Sequence, residues 1–146
     1  MFRRRQFNID NLTVSETESP DYSRITVQFA GERVTKQQLV DQLYKLPDVC
    51  SIRELDKENS VSFELLLIKL KNDPASRGDI MAAADAFEAK TVDYTRESIV
   101  LRVTADSRRI DDFIDLMRDY EILEICRTGV VSLERGADTI RKVTNL

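Results

Sequence analysis

Two stretches of this 146-residue chain carry the same elements in the same order, and that repeat limits the possible folds more than any other feature. Ile25, Val27 and Phe29 align with Ile99, Leu101 and Val103 at an offset of 74. Leu43, Val49 and Ile52 align with Leu116, Ile122 and Ile125 at an offset of 73. Strict alternation of apolar and polar residues marks a strand with one buried face, and spacings of three and four mark a helix. Both patterns recur in both stretches. The first stretch opens in the middle of a unit, because MFRRRQFNIDNLTV reads as the last turn of a helix running into a strand.

In the first module Leu12 and Val14 alternate with polar residues, Ser19, Pro20 and Asp21 make a turn, and Ile25, Val27 and Phe29 return. This predicts a hairpin with one buried face. Thr35 precedes Gln38 at capping-box spacing, and Leu39, Val40, Leu43 and Leu46 share one side of the helix that follows. Pro47 ends it, and Val49, Cys50 and Ile52 predict a strand. The polar LDKENS passage sets a boundary near Lys57 to Ser60.

In the second module apolar residues fall on both faces from Phe63 to Leu70, as in a strand buried between layers. A helix with Ile80, Ala83, Ala84 and Phe87 on one stripe follows Pro74. Val92 and Tyr94, then Ile99, Leu101 and Val103, flank a turn at Arg96 and Glu97. Asp106 is placed to cap a helix bearing Ile110, Phe113, Ile114 and Met117, and Ile122, Leu123 and Ile125 close the module as a strand. The order strand, helix, strand, strand, helix, strand is that of a four-stranded antiparallel sheet with two helices on one face. The expected fold is α+β, two tandem ferredoxin-like (βαββαβ) modules of which the first lacks its first strand. The expected domains are 1–57 and 61–136, with a loose polar tail over 137–146. A duplicated architecture carries no activity by itself.

The composition excludes much chemistry. The chain has no histidine, so it offers no Ser-His-Asp or Cys-His couple and no imidazole acid or base. Cys50 and Cys126, the only cysteines, are too few for a structural zinc site, and both are expected to be buried in strands as small hydrophobes. The four glycines stand apart, without the spacing of a phosphate loop or dinucleotide fingerprint. Carboxylates are scattered over predicted helix faces as solvated charge. The net charge of −4 argues against a nucleic-acid surface, and the basic run Arg3 to Arg5 reads as a solvated chain end. The uninterrupted apolar runs, such as Leu65 to Ile68, are far short of the roughly 20 residues of a membrane helix. With no secretory signal, the expected location is cytoplasmic.

QFNIDNLTV, SRITVQFAG, QLYKLPDVCSIREL and LEICRTGVVSLERG resemble the small, regulatory subunit of acetolactate synthase (acetohydroxyacid synthase), from Phe2 to about Arg141. The resemblance implies an N-terminally truncated ACT domain over 1–57, a module that binds amino acids between paired copies, and the family's own C-terminal domain over 61–136. It implies a non-catalytic protein of branched-chain amino acid biosynthesis that raises the activity of a large catalytic subunit and transmits valine feedback inhibition. No cofactor is expected on this chain; thiamine diphosphate, magnesium and flavin would belong to the large subunit. The implied partners are that large subunit, a second copy through the ACT domain, and a branched-chain amino acid effector, with no nucleic acid and no membrane.

One site residue carries over. Asn8 occupies the family's asparagine position just before the second strand, where a carboxamide can hydrogen-bond the effector's charged groups or the facing loop. Its other reading is a residue that shapes the turn out of the helix. The family's first strand and its ligand-gripping loop would precede Met1. The expectation preferred here is a start assigned too late; strand donation by a partner and a regulator that no longer senses valine are the others. Two further functions stay open, a stand-alone amino-acid-binding ACT module that regulates a different enzyme or transporter, and an enzyme using carboxylates on this scaffold.

Overall fold

A computed structural model describes residues 9–29 and 33–140. Arg3 to Arg5 and Asn8 lie outside them. The elements are β1 (Ile9–Glu16), β2 (Ser23–Phe29), α1 (Arg33–Tyr44), β3 (Ser60–Lys71), α2 (Arg77–Ala86), β4 (Lys90–Tyr94), β5 (Ser98–Ala105), α3 (Ser107–Met117) and β6 (Ile122–Glu134). The fold is mixed α+β, as expected. Phe63–Val130 forms one compact unit, and Met1–Ser62 with Val131–Leu146 forms the other.

The Phe63–Val130 unit has a sheet in the order β4-β5-β3-β6. Numbered within the module this is 2-3-1-4, the ferredoxin-like order. β3 and β5 run antiparallel, with Leu66 opposite Val103, Ile68 opposite Leu101 and Leu70 opposite Ile99. These six side chains are buried with Ile80 and Ala84 of α2 and Ile110, Phe113, Ile114 and Met117 of α3. The helical stripes read from the sequence therefore face this core. Asp106 caps α3 as expected, its carboxylate accepting the Arg109 backbone N–H at 2.9 Å. α2 ends in a Schellman motif, with Ala89 N–H donating to Ala84 O at 2.8 Å and Glu88 N–H to Asp85 O at 3.1 Å. The residue at the left-handed position is Glu88, at φ 57°, where glycine is the usual choice.

The expectation that β3 lies between two layers needs correction. Its alternate residues Glu64, Leu66, Ile68 and Leu70 are buried, whereas Phe63 and Leu67 on the other face are 48% and 38% exposed. Both helical stripes supply the core on a single face of the sheet. The cysteine expectation also fails, since Cys50 and Cys126 are exposed. Cys126 sits on β6, the last strand in the order, whose side chains from Leu123 to Thr128 are exposed.

In the other unit β1 and β2 form an antiparallel hairpin, Leu12 opposite Val27 and Val14 opposite Ile25. Thr17 holds its turn, the hydroxyl lying 2.8 Å from Ser19 O and 2.9 Å from Tyr22 O. α1 starts at Arg33, two residues before the Thr35 expected to cap it. Val49 to Ile52 do not form the expected strand. In the second unit the matching strand, β6, is paired with β3, the first strand of its module. Among the described residues no strand takes that place beside β2, so 49–52 has no ladder to join. The Ile52 N–H instead donates to the Tyr44 hydroxyl at 3.2 Å. The end of the chain contributes here: Ser51 donates to Ile140 O, Arg24 to Ser132 O, Arg53 pairs with Glu134 at 3.1 Å, and Arg135 N–H reaches Asn59 O at 2.8 Å.

Candidate functional site

Three places concentrate the chemistry. Asn8, the one site residue carried over by resemblance, is outside the described residues; the strand it precedes is β1, whose register with β2 is fixed. Period-two alternation puts Leu12, Val14, Ile25 and Val27 on one face of that hairpin. Leu12 is 45%, Val14 61% and Ile25 59% exposed. The buried face expected from the sequence is thus open to solvent. Among the described apolar residues of this unit only Leu39 is buried, and two strands with one helix offer too little surface to close a core. Such a face is suited to burial against another chain.

The second place is a charged cluster between β3, β6 and α3. The Glu64 carboxylate is fully buried; one oxygen accepts from Arg127 Nε and the other from the Ser107 hydroxyl at 2.7 Å. Arg127 also pairs with Asp111 at 2.8 Å. The hydrogen bond that Arg127 donates to Glu64 holds the guanidinium pKa above its usual value, against the opposing effect of burial and with further help from Asp111. Both buried oxygens of Glu64 have donors, so the cluster fixes strand to strand and sheet to helix without an orphaned buried charge. Its chemistry is structural.

The third place lies on the helix-free face of the sheet. The register sets Lys90 of β4 directly opposite Arg102 of β5, and Arg102 directly opposite Leu67 of β3. Neither cation has an ion-pair partner among the described residues. Like charges placed directly opposite each other destabilise a sheet. Beside them opens a cavity of about 400 Å³, lined by Phe63, Lys90, Arg102, Thr104 and, from the helix side, Phe87 and Arg109. Arg109 stacks over Phe87 with its guanidinium carbon 4.8 Å from the ring centre, and donates to Ala86 O at 3.0 Å. Glu88 and Asp106 complete the rim.

Sequence reasoning missed both charged places. Glu64 reads as a surface carboxylate because its partner is 63 residues away, and the Lys90–Arg102 opposition exists only once the register is known. One signal was available, the apolar residues Phe63, Leu65 and Leu67 at alternate positions of a strand whose other face already fills a core. Among the described residues no group of three or more His, Cys, Asp or Glu is placed to hold a metal. No described helix is long and apolar enough to cross a membrane.

Comparison with known proteins covers both units. Residues 63–136 match the family described as "Small subunit of acetolactate synthase", and residues 1–51 match "AHAS small subunit-like ACT domain". A "Probable acetolactate synthase small subunit" of Archaeoglobus fulgidus is 43% identical over 136 residues, 93% of this chain and 85% of that protein. The "Acetolactate synthase small subunit" of Bacillus subtilis is 39% identical over 138 residues, 93% of this chain and 80% of its own. The crystal structure of the acetolactate synthase small subunit from Thermotoga maritima superposes with a TM-score of 0.84 at 34% identity, covering 94% of this chain and 86% of that one. By sequence across both modules and by fold, the chain belongs to the acetolactate synthase small-subunit family, with an ACT domain at its N-terminal end.

Proposed function

We propose that this chain is a regulatory subunit of acetolactate synthase, acting on a large catalytic subunit and catalysing nothing itself. The observation that carries the reading is the family match through both modules, 43% identity over 93% of the chain in one relative. The absence of histidine from the chain also favours it, because the commonest acid-base and nucleophilic devices are unavailable. In this reading residues 1–57 form the sensing ACT domain, 61–136 the family's C-terminal domain and 137–146 a polar tail. The ACT domain pairs with that of a second copy, for which the open face of Leu12, Val14 and Ile25 is suited. Valine binds between the paired domains with Asn8 among its contacts. Thiamine diphosphate, magnesium and flavin are carried by the large subunit.

Regulation of this kind requires that the chain bind one conformational state of the large subunit better than another, and that valine alter that difference. The test is acetolactate formation by the large subunit, with and without this chain, across a valine titration. The expected result is a higher rate with the chain present and a valine-dependent fall of that rate, weakened by Asn8→Ala. No rise at saturating chain would sink the proposal.

A further inference from the structure

We propose that the helix-free face of the β4-β5-β3-β6 sheet is the docking surface for the large catalytic subunit, which presents to it a carboxylate flanked by apolar side chains. This rests on the regulatory reading above and names the place of contact. Three observations on one face converge. Phe63 and Leu67 project from β3 on the side away from both helices, and each is more than a third exposed. Lys90 and Arg102 stand opposite one another beside them without a carboxylate partner among the described residues. The cavity of about 400 Å³ opens at the margin of that face, with Phe63, Lys90 and Arg102 in one wall, Phe87 and Arg109 in the other, and the carboxylates Glu88 and Asp106 also in its lining.

An unsupported like-charge pair across two strands weakens the unit that contains it, and a half-exposed phenylalanine beside it gains nothing from water. Both disadvantages disappear when one partner supplies a negative group between the cations and an apolar surface over Phe63 and Leu67. A central pocket that admits one anchoring side chain, ringed by apolar contact, is the usual energetic centre of a protein interface. Charge selects between occupants. A second copy packed face to face with Lys90 and Arg102 at the two-fold axis would set those cations against their own counterparts, with Asp93, opposite Val100, the one carboxylate that the register places on this face of β4 and β5. Cation against cation opposes self-association, so the occupant is a different protein with an acidic contact.

Lys90→Glu separates this role from a structural one. It turns the like-charge opposition into an attractive cross-strand pair with Arg102, so the melting temperature is expected to hold or rise. Affinity for the purified large subunit, read by titration calorimetry, is expected to fall at least about tenfold, as for loss of a charge pair within an interface. Phe63→Ser is expected to weaken binding while leaving circular dichroism and melting intact, because its side chain is already half in water. Binding of the wild-type chain should weaken with added salt more steeply than that of Lys90→Glu. Unchanged affinity of both variants would overturn the assignment while leaving the regulatory reading intact. Variants that alter only the self-association of the chain would also overturn it, in favour of a second copy. A wild-type chain that fails to bind the large subunit removes both readings together.

Discussion

The two units of this chain differ in how far they close. Phe63–Val130 gathers four strands and two helices around a core in which Phe113, Ile110, Leu66 and Ile68 are entirely shielded from water. In the described part of the other unit, two strands and one helix bury a single apolar side chain, Leu39, and leave Leu12, Val14 and Ile25 about half exposed. The two share a pattern of sequence, so the pattern alone does not decide burial. A strand's apolar face is buried when enough neighbours exist to be covered with it, and otherwise it becomes a surface for something else.

The largest effect is expected at Phe113, whose ring lies 5.1 Å from that of Phe87. Phe113→Ala is expected to cost the second unit about 3–5 kcal/mol. Hydrogen exchange should show faster opening of β3 and β5 amides with β1 and β2 unchanged. Equal loss of protection in both units would mean that they unfold as one. Arg127→Met comes next, at about 3 kcal/mol by denaturant titration, because it leaves the buried Glu64 carboxylate with only the Ser107 hydroxyl.

That arginine also fixes a pH expectation. Its pKa is raised in the folded chain, so its stabilising contribution is complete below the unfolded value and is lost only as pH climbs through the folded one. Both lie far above neutrality. Titration of Arg127 should therefore add no slope to stability between about pH 6 and about pH 9.

Two smaller changes sharpen the contrast. Glu88→Gly relieves the left-handed backbone at the end of α2, and a gain of about 1 kcal/mol is expected in the melting of the second unit. Val14→Ser should change the stability of the isolated chain by less than about 0.5 kcal/mol, since its side chain is already mostly in water. The same variant should shift the proposed dimer towards monomer in sedimentation. No shift would leave the hairpin face without the role assigned to it.

What could be read from the sequence follows the range of the interactions involved. α3 was legible in full, because its cap and its stripe at Ile110, Phe113, Ile114 and Met117 are separated by only a few residues. The β4–β5 hairpin was legible for the same reason. Val49 to Ile52 was misread as a strand because being a strand requires a neighbour, and no apolar alternation reveals whether one is there. Phe63 and Leu67 were correctly placed on a strand but wrongly given a second covering layer. The cluster at Glu64 and the opposition of Lys90 to Arg102 depend on pairing between distant segments, which no local period encodes. Asn8 was reached by resemblance alone.

Residues 131–140 belong with the unit that begins the chain, where they meet Arg24, Ser51, Arg53 and Asn59. During synthesis from the N-terminus at about 5–20 residues per second, the order of completion is therefore the reverse of the order of appearance. The Phe63–Val130 unit has all its parts once Val130 has left the ribosome, while the earlier-born unit still waits for its last contacts. A chain halted in that interval would carry a finished domain attached to an unfinished one.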